Sequence, residues 1–438
     1  MKEGGRVDAS QADTARVDPA QPGRVQAGTD QAGTDQAGMR MGTHTGMEID
    51  RVRVEKFRAA IADELPAAIE LRHRLHADPR VSGDEADTAR MVVQALDAGP
   101  GRPVAGTGRI VRIGDDGAIP PVVLRAELDA LPITERTGAP WASRTSAMHA
   151  CGHDVHMAAL VAVCRAAARV GGPAPVLALL QPREETHPSG AADAVREGAL
   201  DGAHAVIGAH VQPRLAEGVV SAVPGPVNAA ADEFEITIEG REGHAGYPHI
   251  ARDPVLALCQ AVVSLQQVVS RRLDPVRGAV CTVGQVSAGT AANVIPRTAT
   301  ARGGIRVMGD DQRRIAAGLV RDIVEHTAVV HGCTAHVRIH EMQPSLHNDP
   351  PLALEAARQL TGLGIPVDTT FRSFGADDFS HYCHVTRGLM LFVGTADDAA
   401  PDEAPGLHDS TFLPDDALVG RVAEAYLAGY LAACATHV

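Results

Sequence analysis

Val176-Leu177-Ala178-Leu179-Leu180-Gln181-Pro182-Arg183-Glu184-Glu185 is the stretch on which the fold turns. Five apolar residues in a row, closed by Gln-Pro, read as a short strand buried on both faces, as in a parallel sheet. Two carboxylates stand at its carboxyl end. The same pattern recurs outward in both directions. Pro121–Leu128 is a strand run ending at Asp129-Ala130-Leu131-Pro132, and Ala205–Ala209 is a buried strand ending at His210. Helical segments intervene at 155–170 and 190–198, after a long amphipathic helix at 49–77. This alternation predicts an α/β fold: a mostly parallel sheet with helices on both faces.

Residues 227–338 follow a different rhythm. Phe234, Ile236 and Ile238 alternate with Glu235, Thr237 and Glu239, the mark of a half-exposed strand. A helix over 253–273, strands at 279–286 and 298–307, a helix over 310–331 and a strand at 334–339 complete a β-α-β-β-α-β order. That order predicts an inserted ferredoxin-like α+β domain. The first style resumes after it, with a helix at 352–363, a strand at 389–393 and a helix at 417–433. The first domain is thus expected over 49–226 and 339–438, and the inserted domain over 227–338. Residues 1–48 are polar and repetitive and are expected to be a disordered tail. A true start at Met39, Met41 or Met47 is an equal expectation for that segment.

With 438 residues, two domains are expected. The net charge of −14 and a pI near 5.8 argue against nucleic acid or an anionic membrane as partner. No uninterrupted apolar stretch reaches the roughly 18 residues of a membrane helix. Seven cysteines without a Cys-x-x-Cys pair suit a reduced, cytoplasmic protein. Cys164, Cys259 and Cys281 are expected as inert core residues. Gly-x-Ser-x-Gly, His-Glu-x-x-His and phosphate-loop signatures are missing from the sequence.

Thiol, imidazole and carboxylate are the groups that bind transition metals. They gather at the expected strand ends: Asp129, then His149-Ala150-Cys151-Gly152-His153-Asp154, Glu184-Glu185, His210, and late in the chain Leu407-His408-Asp409. The carboxyl ends of strands form the ligand crevice of an open α/β sheet, so these distant residues are expected to converge. A lone His or Cys is more often structural than a ligand, and His149 and His156 are equally readable as packing or supporting groups. Glu184 beside Glu185 matters most, because a metal hydrolase needs one carboxylate as ligand and another free as base.

These segments, with Leu75-His76-Ala77-Asp78-Pro79, Gly243-His244-Ala245, Asn293-Val294-Ile295-Pro296 and Phe374-Gly375-Ala376-Asp377-Asp378-Phe379, occur in a known order. From about Arg72 onward the chain resembles the dinuclear metallopeptidase family of aminoacylases, carboxypeptidases and hippurate hydrolases, above all its hippurate-hydrolase-like branch. The resemblance implies that Cys151, His153, Glu185, His210 and His408 hold two divalent metal ions per subunit, with manganese or zinc first and cobalt or nickel also admitted. It implies that Glu184 is the general base and that Asp129 orients the ligands from behind. His244 would complete a partner subunit's site in a homodimer formed through the inserted domain, and Asn293 and Arg306 would meet the substrate's carboxylate. The expected reaction is hydrolysis of an N-acyl or N-aroyl amino acid to a carboxylic acid and a free amino acid. A dipeptidase or carboxypeptidase using the same site is the alternative, and a non-catalytic metal- or ligand-binding protein ranks below both. The chain departs from the family at Glu127-Leu128, where Asp-Met is usual, at the turn Thr186-His187-Pro188-Ser189, around His408, and at Arg241-Glu242 before Gly243.

Overall fold

A computed structural model describes residues 51–396 and 405–437, which fall in one compact unit, Gly46–Val438. The expectations for residues 1–48 lie outside the described residues. The larger sheet has eight strands in the spatial order Arg102–Val104, Gly108–Ile113, Val176–Gln181, Val122–Glu127, Ala205–Ala216, Arg387–Ala396, Val220–Ser221 and Val367–Asp368. Its four central strands, Val176–Gln181 through Arg387–Ala396, are mutually parallel. Gly108–Ile113 runs antiparallel to Val176–Gln181, and Val220–Ser221 antiparallel to Arg387–Ala396. The expected mostly parallel sheet is therefore a mixed one, parallel at its centre. The flanking strands escaped the sequence reading because Gly108–Ile113 carries arginines within its apolar pattern and the others are only two or three residues long.

Every residue of Val122–Glu127 is buried. Val122, Leu124 and Ala126 pack on one face with the helices Arg51–Ala77, His153–Val170, Pro350–Gly362 and Ala417–Ala435. Val123, Leu179 and Met390 pack on the other with the short helices Gly190–Arg196 and Ser380–Cys383. Arg125 falls between Leu124 and Ala126, so period-two alternation turns it to this second face. Ala417–Ala435 is long and apolar enough to cross a membrane, yet 78% of it is buried inside the fold as a core helix.

A second sheet has the order Ala279–Ala288, Thr298–Val307, Ala230–Glu239, Thr334–Gln343, with all neighbours antiparallel. One face packs Phe234, Ile236, Ala301 and Ile305 against the helices Pro254–Gln267 and Asp310–Val330. The other carries Arg302, Arg306 and Glu233. The helix expected over 253–273 ends its α-helical part at Gln267 and continues to Arg272 in wider π-type turns. Cys164 and Cys281 are buried as expected, but Cys259 is exposed. Ala257, Leu258 and Ala261 occupy the buried face of that helix, and Cys259 falls outside it.

Leu124 is fully buried in the central strand, whereas Leu354 is 60% exposed. Leu124→Ala should lower the unfolding free energy by about 2–5 kcal/mol. Leu354→Ala should stay within about 0.5 kcal/mol of the parent. Urea denaturation of both variants checks the contrast.

Candidate metal centre

Cys151 and His153 reach the crevice through one turn. Gly152 between them has φ 82°, and a Cβ there would lie 2.5 Å from Val211 Cγ2. Only glycine fits that left-handed, close-packed position without displacing either neighbour. His153 opens the helix His153–Val170. His210 lies within the strand Ala205–Ala216, and Glu184 and Glu185 follow the strand Val176–Gln181. His408 adopts φ 67°, and its N–H bonds to Ala150 O at 2.9 Å, tying its loop to the Cys151 turn.

Donor atoms of Cys151, Glu185 and His408 lie within 4.8 Å of one another, and so do those of His153, Glu184 and Glu185. Cys151 Sγ is 3.4 Å from His210 Nε2, and His408 Nε2 is 3.3 Å from Glu185 Oε1. The five residues expected as ligands therefore form one continuous cluster, buried except at His408, which is half exposed.

Hydrogen bonds assign the imidazole nitrogens. His153 Nδ1 lies 2.8 Å from Asp129 O and donates to it, leaving Nε2 buried and without a protein partner. His210 Nδ1 donates to Val211 O at 2.7 Å, leaving Nε2 on the Cys151 side. Each ring thus offers one lone pair to the crevice. Asp129 also steadies the carboxylate side: its Oδ2 accepts from Ser82 Oγ at 2.7 Å and from the Glu185 N–H at 3.0 Å.

The charge of the pocket is lopsided. Burial, with Glu185, Glu184 and Glu127 close by, pushes the Cys151 thiol well above its ordinary range. Burial and the carboxylates of Glu185, Asp377 and Asp378 push Glu184 well up. Burial also raises Glu185, but the bond to His408 and the field of His153 outweigh it, so its net shift is downward. Burial pulls His153 down, yet Glu127, Asp129 and Glu185 together carry it above its usual value. Buried thiol and carboxylate donors and an unpartnered His153 Nε2, with Glu185 Oε1 held only by His408 Nε2 at 3.3 Å, fit divalent cations.

Three functional positions carried no assigned role in the sequence reading. Arg125 bonds Glu127 and, through Nη2, Asp378 Oδ1 at 2.8 Å. Asp377 and Asp378 bring carboxylate oxygens within 4.8 Å of Glu184. Asp378 is further held by Gln181 Nε2 at 2.7 Å and the Ala191 N–H at 3.1 Å. The available signal was an arginine inside an otherwise apolar strand run.

Arg306 lines a cleft of about 580 Å³ together with Glu184, Glu185, His187 and Gln285, and its Nη1 donates to Phe374 O at 2.8 Å. His244 and Asn293 sit beside each other, where the Ala245 N–H bonds Asn293 O at 3.0 Å. Neither lines that cleft. The structure therefore gathers the metal-binding candidates and Arg306, and leaves His244 and Asn293 elsewhere on this chain.

Burial holds the His156 and His210 imidazoles down to about 4 from an ordinary 6.5, so the folded state keeps both neutral. The unfolded chain binds those protons first. Their contribution to stability is full above about pH 6.5 and is lost as pH falls toward about 4. In chelator-stripped protein the ring resonances of His156 and His210 should titrate well below the ordinary 6.5 in an NMR pH series, and titration near 6.5 would contradict this.

Residues 123–428 match the profile of peptidase family M20/M25/M40. The chain is 34% identical over 363 residues to an N-acetyl-L-cysteine deacetylase of Bacillus subtilis strain 168, covering 81% of this chain and 86% of that one. It is 30% identical over 391 residues to thermostable carboxypeptidase 2 of Saccharolobus solfataricus, covering 86% and 98%. A dinuclear metal-binding M20 peptidase of Bacillus subtilis has a similar solved structure, with a TM-score of 0.74 at 28% identity over 85% of this chain and 98% of that one. The match spans most of the sequence and includes every residue of the cluster above, so the chain belongs to peptidase family M20/M25/M40.

Proposed function

We propose that this chain is a metal-dependent amidohydrolase that cleaves N-acyl or N-aroyl amino acids into a carboxylic acid and a free amino acid. The observation that carries the reading is Glu184. It shares the pocket with the donor cluster, its Oε2 lies 3.8 Å from His153 Nε2, and neighbouring carboxylates raise its proton affinity. A carboxyl group so placed, its proton affinity raised by burial and by its neighbours, is suited to take the proton of an attacking water.

Cys151, His153, Glu185, His210 and His408 would hold two divalent cations, manganese or zinc in the first instance. When bound, such cations acidify water and polarise an amide carbonyl. Glu184 takes the proton of the attacking water on a carboxylate oxygen and delivers it to the departing amine. Asp129 keeps His153 and Glu185 in register. Arg306, with N–H donors to spare beyond Phe374 O, grips the free carboxylate of the amino-acid half. The cleft volume of about 580 Å³ suits a small conjugate.

The deacetylase relative supports this reading, because its name places an N-acetyl amino acid as substrate. The carboxypeptidase relative favours a second reading, peptide cleavage by the same site. A panel of N-acetyl and N-benzoyl amino acids against dipeptides, followed by release of free amine, separates the two. Glu184→Gln should retain bound metal and lose roughly 10²–10⁴-fold in kcat. Near-parental turnover in the metal-loaded variant would sink the hydrolase assignment.

The segment 227–338 is proposed as a ferredoxin-like lid and dimerisation domain. Its strand order, and exposed Tyr247, Ile250 and Val294 around His244, support a homodimer in which His244 and Asn293 reach the partner's cleft. Sedimentation should give a dimer. His244→Ala and Glu184→Gln should each be inactive alone and regain activity on mixing and subunit exchange, because the mixed dimer carries one intact site. A monomer, or no recovery from mixed dimers, would refute the cross-subunit role.

A further inference from the structure

Glu127, His153, His156 and His210 bring donor atoms within 4.8 Å of one another, as a further cation site would. The hydrogen bonds exclude that use. Arg125 bonds Glu127 Oε1, and His156 Nδ1 lies 2.9 Å from Glu127 Oε2. The Val211 N–H donates to His156 Nε2 at 3.0 Å. Both nitrogens of His156 and both oxygens of Glu127 are thus engaged, and His156 is fixed as the tautomer with its proton on Nδ1.

The strand topology explains why Val211 is available. Val122–Glu127 pairs with Ala205–Ala216 up to Arg125 opposite Gly208. Beyond Gly208 that neighbour no longer covers the strand, and a buried peptide group there needs other partners. Side chains supply them. His156 takes the Val211 N–H, and His210 donates its Nδ1–H to the Val211 carbonyl. The Val211 backbone is clamped through its N–H and sets the ring of His210 through its carbonyl, with His210 Nε2 left toward Cys151.

We propose that Glu127 and His156 are positioning residues. They form a strut from Arg125 through the Val211 peptide that fixes the tautomer and ring orientation of His210 for cation binding. The proposal rests on the reading above that His210 is a ligand. Outer partners of metal-bound histidines commonly govern affinity by about 10–100-fold. Here the partner acts one peptide further back, and a glutamate stands where the resembling family usually has aspartate.

The test uses the full chain, stripped of metal and titrated with Zn²⁺ against a chromophoric chelator, with near-UV circular dichroism reporting the fold. His156→Leu accepts nothing from Val211 and should bind Zn²⁺ about 10–100-fold more weakly with its fold intact. Glu127→Gln, which presents an amide where two donors converge, should show a similar loss. His156→Gln, whose amide oxygen can accept the Val211 N–H, should lie closer to the parent than His156→Leu. If His156→Leu fails to fold, His156→Asn replaces it, since it keeps a donor for Glu127 but is too short to reach Val211. Folded variants with parental Zn²⁺ affinity would overturn the strut alone. A parent that binds no Zn²⁺ would overturn the metal-site reading on which it rests.

Discussion

Arg125 has no solvent contact, and what surrounds it organises the rest of the site. It stands on the central parallel strand and binds Glu127 on one side and Asp378 on the other. Its Nε donates to Gln181 Oε1 at 2.8 Å. Gln181 in turn bonds Asp378 and accepts from Tyr382 OH at 2.9 Å. Burying such ions costs several kcal/mol each, and the cost is recovered only where every lone pair and proton finds a partner. Here they do. Removing one member would leave an uncompensated buried charge, which costs about 3–5 kcal/mol.

The pocket above this arrangement carries more negative charge than Arg125 answers. Glu127, Asp129, Glu184, Glu185, Asp377 and Asp378 converge there with the Cys151 thiol. Within the protein's own atoms, burial and this imbalance raise the proton affinity of Glu184 and of Cys151. Divalent cations relieve the imbalance by replacing protons there. The chemistry assigned to Glu184 follows from the same imbalance. A carboxyl group that burial and neighbouring carboxylates push toward its protonated form takes a proton more readily than an ordinary glutamate.

A further buried ion network lies behind the helix that begins at His153. Arg72 bonds Asp154 at 3.1 Å and Asp416 at 2.6 Å, and His76 Nδ1 lies 3.1 Å from the same Asp154. Arg72 and His76 come from the first described helix and Asp416 from the loop before the last. The network joins three distant parts of the chain directly behind the Cys151–His153 turn. Positioning the site and closing the catalytic core are thus one structural task.

How much of this was legible in the sequence depends on the range of the interaction. Apolar runs of five or six residues ending in polar ligands identified the strands Val122–Glu127 and Val176–Gln181, because burial on both faces is a local demand on side-chain type. The same logic placed Asp129, Glu184 and Glu185 at strand ends, and His210 joins them from within a strand that runs on to Ala216 instead of ending at 209. Alternation of Phe234, Ile236 and Ile238 likewise identified a sheet with one packed face. The tertiary structure alone decided the antiparallel flanks of the large sheet, because pairing direction leaves no periodicity in a strand interrupted by arginine or only two residues long. It alone engaged His156 at both nitrogens while leaving one without a partner on His153, since which lone pair remains depends on partners 24 to 55 residues away. It also separated Asn293 from Arg306, which the resemblance had joined at the substrate's carboxylate. Residue identity states what a group can bind, and only the packed chain determines which of its atoms are left to do so.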